Sequence, residues 1–368
     1  MKITIFFLTA ILLFGCRSRE ERHPDDESFI TIPIKEVKSS SECFSNFITR
    51  IKSIQLETNR NCLIGNIEEF RLYNDDIYIL ESPGSLGSPG SLKRILRFNS
   101  EGDFICEIGD YGRGPEELIS PRDFIFEEDT IEIWSRYKIS RHTIDGDFIE
   151  NVFNAHVPGP GFIKDNGDYI LFHSISPPYM FTKRNKSGQQ IDSMVYLDVV
   201  VHGNAEHDKV LRYNKTTRFF AGMHDTVYSI NNAGVYPSAA FKYEGVSSPY
   251  TVLKDSNDPR DFIKLSPPSV ANYLENSNII FIRYTLDREW YYCLVDKKRL
   301  EFYYYKEEDF ENAYSIPLKD PLHLTENNEL VIAYFHHDLD NPEVRKDQRL
   351  PAIKPDDNPL LIKFRLDI

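Results

Sequence analysis

An all-β, six-bladed β-propeller is the fold that this sequence predicts, on three observations. From residue 29 onward helical periodicity is almost absent, and short segments alternate apolar and polar residues between Gly, Asn and Asp turns. A stretch that reads as four strands repeats with a period of 44 residues. The chain from 29 to 368 has room for six such units, and a repeating four-stranded unit of this length is the signature of a propeller blade.

The chain begins MKITIFFLTAILLFGC: a basic start at Lys2, an apolar run from Ile3 to Phe14, then Gly15 and Cys16. That run is too short to span a bilayer and fits an export signal over residues 1–15 that is removed. Leu13-Phe14-Gly15-Cys16 resembles a bacterial lipobox, which implies cleavage before Cys16 and lipidation of it. Residues 16–28, CRSREERHPDDES, are polar and charged without apolar periodicity and read as a flexible tether. Arg17 after the cysteine resembles lipoproteins sorted to the outer membrane, and Glu20-Glu21 resembles a surface-export signal. The expected address is thus the outer membrane, facing the periplasm or the surface, with the membrane as partner through the lipid on Cys16.

The domain, residues 29–368, follows. FITIPI at 29–34 alternates as a strand and is placed to supply the missing outer strand of a last blade, closing the ring. EEFRLYNDDIYILES with KRILRFNSEGDFI lines up with RDFIFEEDTIEIWSR and KISRHTIDGDFI, and Gly-Asp-Phe-Ile recurs at 102–105 and 146–149. Each unit reads as four antiparallel strands with tight turns, the fourth entered at Glu101-Gly102 or Asp145-Gly146. A third blade runs from about Phe162 to KRNKSGQQIDSMVYL, a fourth through TRFFAGMHDTVYSINNAGVYPSAAFKYEG, a fifth from Ala271 to Tyr305 and a sixth from Leu322 to Ile368. The aromatic runs WYY at 290–292 and YYY at 303–305 suit strands packed between blades rather than a sugar platform.

GDYGRGPEELISPRDF with TIEIW, and the run Arg94 to Gly102, resemble the repeat of NHL-type propellers. Glu81 and Ser135 stand where that pattern prefers Asp, and Arg141 is one place off the usual Arg. IQLETNRNCLIGNIEEF at 54–70 and DDNPLLIKFRL at 356–366 resemble the six-bladed β-propeller lipoproteins of Bacteroidetes, an NHL-like or TolB-like class. The resemblance covers nearly the whole mature chain and implies a fold and an envelope address but no agreed reaction.

Charge and motifs narrow the functions. With 57 Asp and Glu against 43 Lys and Arg, net −14, the chain repels a phosphate backbone, so nucleic acid is not expected as a partner. GDYGRGPEEL at 109–118 has the G-x-x-x-x-G spacing of a phosphate loop, but Pro115, Glu116 and Glu117 stand where that loop needs Lys and Ser or Thr. It reads as a connector between blades, and neither a nucleotide nor any other cofactor is expected. His202, Glu206, His207 and Asp208 lack the spacing of a zinc helix, and His336-His337-Asp338 lacks a calcium loop's, so no metal site is assigned. Cys43 and Cys62 are candidates for one disulfide in an oxidising compartment.

No nucleophile elbow or sialidase box is present. The leading expectation is therefore a non-catalytic binding or scaffold propeller for a glycan, a peptide or a partner protein. The competing one is a glycan-active hydrolase or lyase with carboxylates around the central channel. Propeller ligands often meet the face carrying the second-to-third strand loops and blade connectors. On that basis Arg113, Arg136, Tyr137, His173, His336 and Asp338 are the expected ligand-binding residues, none of them catalytic.

Overall fold

The structure, a computed structural model, describes residues 29–37, 44–82, 93–135, 138–154, 161–173, 178–196, 209–214, 216–222, 224–231, 234–255, 267–314, 316, 318–339 and 353–368. Two N-terminal strands, β1 (Ile30–Ile34) and β2 (Ile48–Gln55), precede the repeats. Blade one holds β3 (Asn66–Tyr73), β4 (Asp76–Ser82), β5 (Arg94–Phe98) and β6 (Phe104–Glu107). Blade two holds β7 (Asp123–Glu127), β8 (Thr130–Ser135), β9 (Lys138–Thr143) and β10 (Phe148–Asn154). Blade three holds β11 (Phe162–Asp165), β12 (Asp168–Phe172), β13 (Tyr179–Arg184) and β14 (Gln190–Tyr196).

Blade four holds β15 (Lys209–Tyr213), β16 (Thr216–Phe220), β17 (Thr226–Asn231) and β18 (Gly234–Tyr243). Blade five holds β19 (Ser269–Glu275), β20 (Ile279–Leu286), β21 (Glu289–Asp296) and β22 (Glu301–Lys306). Blade six holds β23 (His323–Leu324), β24 (Glu329–Tyr334) and β25 (Leu360–Leu366). The pairing within every blade is antiparallel, giving the all-β, six-bladed propeller expected from the repeat. Short helices α1 (Pro249–Asp255), α2 (Glu307–Tyr314) and α3 (His336–Leu339) are the α elements of the described residues.

The ring is closed by an N-terminal strand, as expected, but FITIPI is not that strand. β2 pairs antiparallel with β25, from Ile48 opposite Leu366 to Gln55 opposite Leu360, and so supplies the outer edge of blade six. β1 instead adds a fifth strand, parallel to β18, on the outside of blade four. Pro33 explains part of this: it has no N–H to donate, so the strand that carries it belongs at an edge. Two tyrosines of blade five then clamp β1, Tyr284 donating to the Lys35 carbonyl at 2.8 Å and Tyr304 to that of Pro33 at 2.8 Å.

The core is divided into six apolar clusters among the described residues, one in each seam between neighbouring blades. Tyr291, Tyr292, Tyr304 and Tyr305 are buried in the seams flanking blade five, as strand residues. The recurring Gly-Asp-Phe-Ile has a seam task as well. Gly102 has φ +96°, and a Cβ there would lie 2.4 Å from the Gln55 carbonyl oxygen at the end of β2. Gly146 has φ +101°, and its Cβ would lie 2.7 Å from the Glu107 carbonyl oxygen at the end of β6. At both, the turn into a blade's outer strand lies against the outer strand of the blade before it, where only glycine combines that φ with that approach. The same joint is pinned by Glu57 N–H to the Gly102 carbonyl (2.8 Å) and Gly109 N–H to the Gly146 carbonyl (3.2 Å).

Candidate functional site: the central channel

The first strand of each blade faces the axis, and together they enclose a cavity of about 800 Å³. Its wall is apolar at Leu72, Ile125, Ile163, Leu211 and Leu324, with Tyr73 stacked on Phe126 at 4.2 Å between ring centres. Half-buried strand positions alternate sides, so each inner strand gives some residues to a seam and others to the channel.

The polar groups are concentrated in three buried knots. Asp123 opens β7 and is 2% exposed. It accepts from Arg71 of β3, from Arg212 of β15 at 2.9 Å and from the Phe162 N–H at 2.8 Å, so groups of blades one, two, three and four meet on one carboxylate. Arg212 also donates to the Phe162 carbonyl, and Arg71 lies over the Phe124 ring at 4.5 Å. Burial pushes the Asp123 carboxyl up, but the two guanidinium groups and the Phe162 N–H overcome it and hold the group below its ordinary value. Arg212 is lowered to about 10 by burial and by repulsion from Arg71, against the pull of Asp123 and Glu69.

Glu275, at the end of β19, accepts from Lys297 (2.8 Å), Tyr213 (2.6 Å) and Tyr273 (2.5 Å), with Arg218 at 3.3 Å. Burial raises its carboxyl, and Lys297 and Arg218 bring it below the ordinary value. Beside the channel, Glu132 accepts from Arg141 (2.7 Å), Lys164 (3.0 Å) and the Tyr169 hydroxyl (2.9 Å) and is likewise held down against burial. His323, on β23, is lowered to about 4 by burial and by the charges of Arg71 and Lys363, so it is neutral at pH 7. These three carboxylates, Asp123, Glu132 and Glu275, are thus held below their ordinary values and tied to cations.

The residues expected at the loop face are distributed differently. Arg113 is exposed on the β6–β7 connector. His173 is buried, its Nε2 2.8 Å from the Thr182 hydroxyl, and belongs to the packing of blade three. His336 begins α3, and Asp338 holds that helix by accepting from the Phe335 N–H (2.8 Å) and Lys319 (2.6 Å). None of these four lines the cavity. Arg136, Tyr137, Cys16, Cys43 and His202 to Asp208 lie outside the described residues. Cys62 is buried, its thiol 3.2 Å from the Glu57 carbonyl and raised by burial. Among the described residues no group of three or more His, Cys, Asp or Glu gathers as a metal site.

The connector GDYGRGPEEL folds around its own glutamate. Glu117 Oε2 accepts from the Gly114 N–H at 2.7 Å and fills the space where a Cβ of Gly112 would stand, 1.9 Å away. A backbone amide that a phosphate loop would offer to its ligand is occupied here by a side chain of the loop. Sequence reading passed over Arg71, Asp123 and Arg212. The available signal was a charge inside an otherwise apolar first strand, FRLY, RDFIF and VLRY, in three different blades.

Residues 29–365 match the model of a domain of unknown function, DUF4934. No curated protein matches the chain. Among solved structures, a "putative exported protein" of Bacteroides fragilis aligns with TM-score 0.72 at 16% identity, covering 93% of this chain and all of the other. At that identity the likeness shows the fold. A glucose-dehydrogenase-type oxidoreductase of Thermus thermophilus (TM-score 0.38, 13% identity, 85% of this chain and 100% of that one) aligns too loosely to support more. The same holds for BamB from Moraxella catarrhalis (0.36, 9%, 77% and 75%).

Proposed function

The chain belongs to the DUF4934 family, and from that premise we propose that it is an envelope-anchored binding module that takes its ligand in the central channel without chemical turnover. One observation carries this reading. The cavity joins an apolar wall to converging polar groups, as a ligand site does, while Glu275 in its wall and Asp123 beside it are committed to cations. The six-cluster core makes the channel wall a rigid frame, so the site is preformed. The ligand class is a glycan, a peptide or a segment of a partner protein small enough to enter, with the loop face around Arg113 and His336 as its outer contact.

The envelope address rests on the leader and Cys16, and the exported description of the Bacteroides fragilis protein agrees with it. Glycan and peptide libraries passed over the purified protein should yield a binder whose affinity falls when Leu211→Trp fills the channel, with no product formed. Product that disappears in Glu69→Gln or Glu127→Gln, two carboxylates lining the cavity, replaces this reading with a hydrolase or lyase. Cys16→Ser should move the protein from the membrane to the soluble fraction; unchanged fractionation removes the anchor.

A further inference from the structure

We infer that Arg71 and Arg212 form a subsite for the carboxylate of a small organic acid, or of an acidic group on a larger ligand, within the channel. The inference rests on the channel being the binding site and names what that site selects. Arg71 is 8% exposed, yet its Nη1 has no hydrogen-bond partner among the described residues, and neither do Nε and Nη1 of Arg212. Each guanidinium donates to Asp123 through Nη2, and Nε of Arg71 lies 3.5 Å from Glu69; the nitrogens left over, Nη1 of Arg71 and Nε and Nη1 of Arg212, are buried in the wall. Leaving such donors unpaired inside a protein is costly, and native structures rarely keep them without a reason. Arg212 remains the member in contact with the open channel, its side chain 22% exposed, and both residues line the cavity.

The charge balance selects the class. Two guanidinium groups face Asp123 and Glu69, the latter 3.5 Å from Arg71, His323 beside them is neutral, and Lys209 adds a positive charge in the same wall. One further negative charge fits this setting, whereas a doubly charged phosphate would meet two carboxylates with too few cations. The adjoining wall of Leu72, Ile163 and Leu211 suits an apolar body behind the carboxylate.

Sodium acetate and sodium phosphate, titrated separately into the purified full chain at constant ionic strength, provide the probe. Arginine Nε–Hε resonances and the melting temperature are followed together. Acetate should produce a saturable shift of the Arg212 resonance and a rise in melting temperature. Arg212→Lys, which keeps the charge but loses the donors, should bind acetate about tenfold more weakly, the scale of one charged hydrogen bond. Should that variant not fold, Thr217→Glu serves: Thr217 is the cross-strand partner of Arg212, and a tethered carboxylate there should displace acetate while both arginines stay.

The subsite is refuted by an unresponsive wild type, by tighter binding of phosphate than acetate, or by folded variants that bind acetate unchanged. A neutral glycan or peptide that binds and is blocked by Leu211→Trp, with acetate inert, leaves the channel reading standing and removes the carboxylate subsite alone. If neither binds, both fall.

Discussion

Asp123 is a single side chain on which four blades converge, so its charge matters beyond its own seam. Asp123→Asn leaves Arg71 and Arg212 facing each other with half their compensation gone. Breaking a buried ion pair from one side costs about 3–5 kcal/mol, and a urea melt should show a loss on that scale. Acid should act in two stages. His323 is lowered to about 4 from an ordinary 6.5, so it stabilises the fold fully above about pH 6.5. That contribution is lost as the pH falls toward 4, because the unfolded chain takes up the proton first. His142, held down by burial, titrates in the same direction. Asp123, Glu132 and Glu275, held below their ordinary values, contribute above about pH 4.5 and are lost below it. His323→Gln should flatten the upper stage of a stability profile, with His142 leaving a residual slope, and spare the lower one. An unchanged upper stage would show that His323 is not depressed.

At the scale of elements, the Gly-Asp-Phe-Ile repeat was legible because the joint between blades demands it twice. Gly146→Ala should cost about 1–3 kcal/mol, since it combines a positive φ with a backbone collision. Gly245, with φ +78° and nothing within 4 Å of an added Cβ, is the control: alanine there should cost about 1 kcal/mol, from the φ alone. Equal losses at the two positions would deny the collision its role. The closing strand was harder to read. β2, ITRIKSIQ, turns Ile48 and Ile51 to one seam and Ile54 to the other, so its apolar residues fall on both faces and its alternation is weaker than that of FITIPI. Which sheet edge a given strand takes depends on contacts hundreds of residues away, and local pattern carries no record of them. Arg71 and Arg212 were missed for a related reason: in a single strand, a charge on the solvent face and a charge inside a channel look alike.

For the molecule as a whole, closure by β2 rather than β1 separates two deletions. Removing residues through 37 takes away a fifth strand and the burial of Ile32 and Ile34, about 1.5–3 kcal/mol each, but leaves the ring shut. Removing residues through 56 strips the outer edge from blade six and should end cooperative unfolding, as a calorimetric scan can show. The six-bladed ring itself followed from the repeat, since one supersecondary unit recurring at fixed length permits few other assemblies. Its channel chemistry did not, because that depends on which side chains of distant blades meet at the axis.

The two N-terminal strands also differ in the mechanical load they meet. A chain held at Cys16 and tugged by its ligand would pass tension through residue 29 into β1 before any force reached β2. β1 is gripped by the edge of blade four and by Tyr284 and Tyr304 of blade five, so it can peel away and lengthen the leash while β2 stays zipped to β25. With such an anchor on Cys16, the outermost strand would act as a fuse, yielding under strain in place of the ring.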